Sequence, residues 1–257
     1  MKEEKEKREI FEQNRAYYQE IAPCYDQGRE AFFSREERRI GRDLRRIISK
    51  KNMVGMTVVD IGCGTGLYSL IAAANGGEMF HCLDLNQTFL QAASNKLKSH
   101  FPGVKVICHE ADLEGFLVAE GEILETVDLV IMGSVLQYIP NCNDLVKRMA
   151  KRLPNTCFYI ASTPLALKGN WIEELLAMID YQLYCLFRGG PARGTTGQQL
   201  ITLPVEYKQL EKIFIEHGFQ VHSYRYRTFH TALIDRFYAS LLYLFPNLAS
   251  RFSLIAW

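Results

Sequence analysis

The chain has 257 residues, 48% of them apolar and 23% charged, with a net charge of +1. That length builds one large domain. The balance argues against a disordered chain and against a dedicated nucleic-acid binder, which carries a strong basic excess. Seven cysteines, none in Cys-x-x-Cys spacing, argue against a disulfide scaffold and a zinc site, and suit a reducing, cytoplasmic setting without a metal.

Taken in chain order, Met1 to Glu9 mixes both charges and reads as neither a signal peptide nor a transit peptide. Residues 3–20 have a charged helical pattern. Residues 29–50 form a second helix, on which Arg35, Arg38, Arg39, Arg42, Arg45 and Arg46 recur at helical spacing. Glu36, Glu37 and Asp43 intervene, so this face reads as solvated rather than as a nucleic-acid patch. From residue 56 short β-rich runs alternate with helical patterns. The runs are Met56–Ile61, Met79–Asp84, Val104–His109, Val127–Gly133 and Thr156–Ser162. Helices are expected at Leu67–Asn75, Gln87–Lys98 and Asn143–Arg152. Such alternation predicts a parallel sheet covered on both faces.

The alternation breaks after the fifth strand. Residues 164–203 hold a helical piece, Asn170–Phe187, and a Gly-rich stretch that together read as a lid over the strand ends. A helix at Val205–His217 and a strand at Phe219–Thr228 follow. The apolar stretch Phe237–Ser250 is about fourteen residues long and contains Pro246, too short to span a bilayer, which needs about twenty. A transient interfacial contact stays open for it. The last strand is Phe252–Trp257. The scheme is one domain: a helical cap over 1–50, a binding core over 51–163, the lid over 164–203 and the C-terminal completion over 204–257.

The most informative stretch is Val58 to Gly66, Val-Val-Asp-Ile-Gly-Cys-Gly-Thr-Gly. An apolar strand ends in an acid and enters a loop with glycine at every second position, so backbone N–H groups can approach a ligand closely. A dinucleotide fingerprint would place its third glycine where Leu67 stands. Asp60 would also oppose a pyrophosphate, whereas it suits a cationic or amine-bearing ligand. The second strand ends at Asp84, placed to accept from ribose hydroxyls; alternatively Asp84 or Asn86 caps the following helix. The third strand ends at Asp112, which could accept from an adenine amine while Leu113 covers a ring face, or serve as a cap or turn residue. Gly133 and Ser134 end the fourth strand, with Leu136, Tyr138 and Ile139 beyond.

This series resembles the class I S-adenosylmethionine-dependent methyltransferases of the small-molecule branch, by motif over residues 15–163 and by order of elements elsewhere. The resemblance implies a Rossmann-like, doubly wound, mostly parallel seven-stranded sheet with an antiparallel last strand. It implies that Asp60, Gly62, Cys63, Gly64 and Gly66 hold the methionine part of S-adenosylmethionine. Asp84 would hold the ribose beside Leu85 and Asn86, and Asp112 and Leu113 would meet the adenine. Met132, Gly133, Ser134 and Gln137 would line the methyl-donating face, and Tyr18 and Tyr25 would close over the cofactor. Many relatives carry a histidine where Tyr138 stands, and no amine-holding Asn-Pro-Pro-Tyr or Asp-Pro-Pro-Tyr follows the fourth strand.

Transfer from a sulfonium is an in-line displacement in which alignment does most of the work. Tyr138, His222 and His230 are the candidates for a base, and none is assigned. Trp171, Tyr181, Tyr184, Phe187, Phe237, Tyr238, Tyr243 and Phe245 could wall a small hydrophobic or aromatic acceptor, with O-methylation favoured. They could equally build the outer layer or a homodimer interface. DNA is excluded as a partner and RNA disfavoured. A non-catalytic module holding S-adenosylmethionine or S-adenosylhomocysteine remains open, as does an RNA-modifying enzyme. A nicotinamide oxidoreductase is the weaker alternative.

Overall fold

The computed structural model describes residues 2–26, 30–51, 55–119, 126–139, 141–164, 205–226 and 251–257, with isolated positions between 175 and 238. Most of the expected lid, His230 and most of Phe237–Ser250 lie outside the described residues.

Seven strands form one sheet: β1 (Met56–Ile61), β2 (Gly77–Asp84), β3 (Lys105–Glu110), β4 (Leu129–Gly133), β5 (Cys157–Pro164), β6 (Val221–Tyr226) and β7 (Arg251–Ala256). Their spatial order is β3-β2-β1-β4-β5-β7-β6. β1 to β5 pair in parallel, and β7 runs antiparallel to both β5 and β6. This is the expected doubly wound sheet with an antiparallel last strand. Seven helices accompany it among the described residues: α1 (Lys2–Ile21), α2 (Glu30–Lys51), α3 (Leu67–Ala73), α4 (Gln87–His100), α5 (Leu113–Ala119), α6 (Cys142–Arg152) and α7 (Tyr207–Glu216).

The strands are buried on both faces because helices cover both. Side chains alternate between two cores with the strand period of two. Val59 and Ile61, Val130 and Met132, Phe158 and Ile160 enter one core with α5, α6 and α7. Val58, Leu129, Ile131, Cys157 and Tyr159 enter the other, under α2, α3 and α4. Each such Val, Leu, Ile or Phe contributes roughly 1.5–3 kcal/mol of burial. Helix α5 is absent from the sequence expectation; it is short, and Asp112 caps it by accepting from the Gly115 N–H at 2.7 Å.

Helix α2 buries Ile40, Leu44 and Ile47, one face at helical spacing. It also buries Glu36 and Asp43, at 2% and 4% exposure. Tyr159 of β5 and Tyr224 of β6 donate to Asp43 Oδ2 at 3.0 and 2.5 Å. Arg39 reaches Glu36 at 2.5 Å and Asp43 at 3.6 Å. Burial pushes both phenols above their ordinary pKa, so they stay protonated donors. The cluster fixes α2 across the β5–β7–β6 half of the sheet.

Candidate active site

The chain leaving β1 continues to β2 on one side, while β4 leads to β5 on the other. Between their C-terminal ends a crevice opens, the position where ligands enter open α/β sheets. Its floor is Ile61, Gly62 and Gly64 of β1 and its loop, with Gly133, Ser134 and Val135 after β4. Leu83 to Asn86 and Ala111 to Leu113 form one wall.

The three loop glycines serve different ends. A Cβ on Gly62 would lie 2.5 Å from Val135 Cγ2, so this glycine lets β1 and the β4 loop meet. One on Gly66 would lie 2.9 Å from Ala93 Cβ, so this one lets α3 approach α4. Gly64, at φ +51°, has nothing within 4 Å of such a Cβ and faces open cleft. Its N–H donates to Asp84 Oδ2 at 3.0 Å, while Asn86 N–H donates to Asp84 Oδ1 at 3.0 Å. A carboxylate offers about four acceptor positions, so these backbone donors leave acceptor capacity for a ligand. Burial raises the Asp84 pKa, and the backbone donors oppose that shift.

Asp60 stands behind the loop at 1% exposure. Ser69 Oγ donates to its Oδ2 at 2.6 Å, and its Oδ1 is buried without a partner. Burial pushes its pKa up to about 7, with Ser69 opposing and the Asp84 charge adding to the rise. Ser134 takes φ +57°, an uncommon left-handed backbone for a residue with a side chain, and it does so at the cleft.

The N-terminal segment roofs the crevice. Tyr18, Tyr25, Phe89 and Tyr138 form an aromatic cluster with ring centroids 5.0–6.3 Å apart. Tyr18 Oη donates to Tyr138 Oη at 3.0 Å, and burial followed by the Tyr138 contact raises the Tyr18 pKa. Asn86 caps α4 with its side-chain oxygen and donates through Nδ2 to the Tyr18 carbonyl at 3.1 Å. Asp26 accepts from Thr65 Oγ1 at 2.6 Å and from Lys96 Nζ at 2.5 Å, tying the end of the roof to the glycine loop. One turn before Tyr18, Asn14 and Arg15 also line the crevice. The Arg15 Nε is buried and has no partner.

Residues 59–158 match a family model described as "Methyltransferase domain". That match spans β1 to β5, and over it the chain is similar to methyltransferase domains. Solved structures share its fold at low identity. The plantazolicin methyltransferase BamL, in complex with a triazolic desmethylPZN analog and SAH, aligns at TM-score 0.58 and 16% identity over 98% of both chains. Magnesium protoporphyrin IX methyltransferase from Synechocystis PCC 6803, with bound SAM, aligns at 0.56 and 14% identity, over 95% of this chain and 96% of that one. The [4+2]-cyclase SpnF aligns at 0.50 and 13% identity, over 84% and 80%. No curated protein matches the sequence.

The crevice gathers Tyr18, Tyr25, Gly62, Gly64, Asp84, Leu85, Asn86, Asp112, Leu113, Gly133, Ser134 and Tyr138 of the expected site. Other expected residues do not line it. The Cys63 thiol is buried beside Cys82, and that contact together with burial raises its pKa. Met132 is fully buried in the core. Gln137 is 3% exposed and donates to the Ser134 carbonyl at 2.8 Å. Gly66 packs two helices together. His222 lies on β6, four strand spacings from β1, about 19 Å at 4.8 Å per spacing. Its Nε2 accepts from Arg46 Nη1 at 2.7 Å, since a guanidinium only donates. Asn14, Arg15, Phe89, Val135 and Ile139 are lining residues beyond the expected set. The signal for the first two was helical spacing from Tyr18, and for Phe89 it was the turn after Asn86.

Proposed function

We propose that this methyltransferase carries S-adenosylmethionine in the β1–β4 crevice and moves its methyl group to a small hydrophobic or aromatic acceptor, with oxygen the favoured atom. One observation carries the reading. Two carboxylates, Asp84 and Asp112, and one guanidinium, Arg15, face a cleft floored by Gly64. That charge pattern suits a nucleoside bearing cations and one carboxylate, and it opposes a pyrophosphate. In this reading Asp84 accepts from the ribose hydroxyls with its remaining lone pairs. Leu85, Leu113 and Ile139 cover the adenine, and Asp112 accepts from its amine. Arg15 takes the amino-acid carboxylate, and the open space at Gly64 admits the chain between.

The bound sulfonium supplies an activated methyl group. The chain's own residues then supply alignment, which is worth up to roughly 7–11 kcal/mol in such displacements. Tyr18, Tyr25 and Phe89 exclude water above the cleft. Tyr138, which accepts from Tyr18, has its O–H free to point at an acceptor oxygen and orient it in this reading. An apolar acceptor is supported by Val135 and Ile139 in the cleft and by the aromatic content of residues 164–203. BamL was solved in complex with a triazolic desmethylPZN analog, a further parallel.

Calorimetric titration with S-adenosylhomocysteine, with NADH as control, tests the reading. One-to-one binding of S-adenosylhomocysteine alone is expected. Release of S-adenosylhomocysteine from S-adenosylmethionine in the presence of an apolar phenol or hydroxy acid then separates a transferase from a chain that only holds the cofactor. Preference for the nicotinamide nucleotide would overturn the assignment.

A further inference from the structure

The roof of the crevice and the glycine loop below it are joined at one place away from the cleft. Asp26, at the end of the N-terminal segment, accepts from Thr65 Oγ1 at 2.6 Å and from Lys96 Nζ at 2.5 Å. Lys96 Nζ also donates to the Thr65 carbonyl at 3.0 Å. The three groups close a ring in which Thr65, itself buried, is gripped twice, by its hydroxyl and by its main chain.

Each member of the ring is tied to a residue that lines the crevice. Asp26 follows Tyr25, and Thr65 follows Gly64. Lys96 shares one stripe of α4 with Phe89 and Ala93, at i, i+4 and i+7. Phe89 packs edge-on against Tyr25 with ring centroids 5.0 Å apart, and Ala93 takes the close approach of Gly66. One face of α4 therefore carries the roof, the end of the glycine loop and the ion pair. The roof has a second attachment at Asn86, the cap of α4, which donates to the Tyr18 carbonyl. The two attachments differ in depth. Asn86 is 5% exposed, whereas the Asp26 and Lys96 side chains are 39% and 33% exposed. Water reaches the ion pair, so this attachment can part without stranding a charge in the interior.

We propose that Asp26 and Lys96 are positioning residues whose ion pair clamps Thr65, and that this clamp sets how fast a ligand leaves the crevice. The proposal rests on the reading that the crevice holds the nucleoside described above. Neither side chain lines the cleft. The clamp acts through Tyr25 above, which it keeps against Phe89, and through Gly64 below, whose left-handed backbone holds its N–H on Asp84. When the ion pair parts, roof and loop are released together.

The test is the dissociation and association rates of S-adenosylhomocysteine on the full chain, measured by surface plasmon resonance. Asp26→Ala should raise the dissociation rate about tenfold, the worth of one half-exposed ion pair and one hydrogen bond, without lowering the association rate. A variant that only damaged the fold would lower the association rate and the bound fraction instead. Asp26→Glu keeps the carboxylate and should stay within about threefold of wild type. Lys96→Met keeps the apolar stem and should also quicken dissociation, and Asp26→Ala/Lys96→Met should go no further than Asp26→Ala alone. Added salt should quicken dissociation from wild type more than from Asp26→Ala, because it screens the exposed pair. An unchanged dissociation rate, strictly additive single effects, or Asp26→Glu as fast as Asp26→Ala overturns the proposal. Amide hydrogen exchange over residues 18–26, followed without ligand, separates the clamp from the nucleoside reading. It should quicken in Asp26→Ala and in Lys96→Met, and unchanged exchange overturns the clamp whatever the crevice binds. Quickened exchange in a chain whose wild type fails to bind S-adenosylhomocysteine upholds the clamp between roof and loop and overturns the nucleoside reading.

Discussion

Arg15 is the sharpest point at which the crevice can be tested. Its Nε is buried with no partner, a state that costs roughly 1–3 kcal/mol of desolvation while nothing occupies the site. A ligand carboxylate would relieve that cost and add a charge-assisted bond worth roughly 1.5–3 kcal/mol. The substitution Arg15→Met keeps the apolar stem and removes the donor. Two readouts should then move in different directions. S-adenosylhomocysteine should bind about 10- to 100-fold more weakly in calorimetry, at a tenfold change per 1.4 kcal/mol. The thermal midpoint of the unliganded protein should stay level or rise, since an orphaned donor has gone. The compound 5′-methylthioadenosine, which has the nucleoside but no amino-acid group, should bind wild type and variant alike. Equal weakening for both compounds would mean that Arg15 serves the roof or the nucleoside end. No weakening for either would remove it from the site.

Gly64→Ala should cost only about 1 kcal/mol of stability, the price of a left-handed alanine, yet weaken S-adenosylhomocysteine binding about tenfold or more, because its Cβ meets no protein atom and enters the cleft. Gly66→Ala should do the reverse, lowering the thermal midpoint through overpacking against Ala93, about 1–3 kcal/mol; exchanged phenotypes in melting and calorimetry would refute both roles. A double-mutant cycle of Tyr18→Phe and Tyr138→Phe on ligand affinity should show coupling of about 0.5–1.5 kcal/mol, and strictly additive effects would deny that their hydrogen bond closes the roof. Asp60 has its folded pKa raised from 3.8 to about 7, so the folded protein holds a proton there that the unfolded chain gives up. Its favourable contribution is complete below pH 3.8 and is lost as pH rises to about 7. The stability of Asp60→Asn relative to wild type should therefore grow across that window by a few kcal/mol in urea titrations, and a difference constant with pH would show that Asp60 is charged throughout.

What could be read before folding, and what could not, follows from the range of the forces involved. The parallel strands and their terminal acids are local: an apolar run with period two, an acid, then a turn. Asp84 and Asp112 stand at the cleft as those patterns imply. The glycine loop was legible as a loop, but not the division of labour within it, because Gly62 and Gly66 are set by Val135 and Ala93, far away in sequence. Cys63 shares the motif and still turns its thiol away from the cleft, since a loop's backbone faces a ligand while alternate side chains face the core. His222 looked like a base because it is a lone titratable group near a strand; only the strand order, four spacings from β1, removes it.

The same reasoning explains why the place of Arg15 in the crevice, and the inward turn of two of the acids among the α2 arginines, are not legible in the sequence. An arginine in a charged helix carries no local mark of whether its charge is met. Arg39 is answered by Glu36 and Asp43 inside the fold, while Arg38, Arg42, Arg45 and Arg46 stand outside, Arg42 within 3.7 Å of Asp43 Oδ1 and Arg46 against His222. Arg15 reaches the crevice with its Nε unanswered. At Arg15 the functional signal is a buried donor that the fold itself leaves without an acceptor. A folded chain tolerates such a donor where water covers it. It tolerates one in a buried cleft only at a cost, and a ligand carboxylate at Arg15 is the group whose arrival would remove that cost.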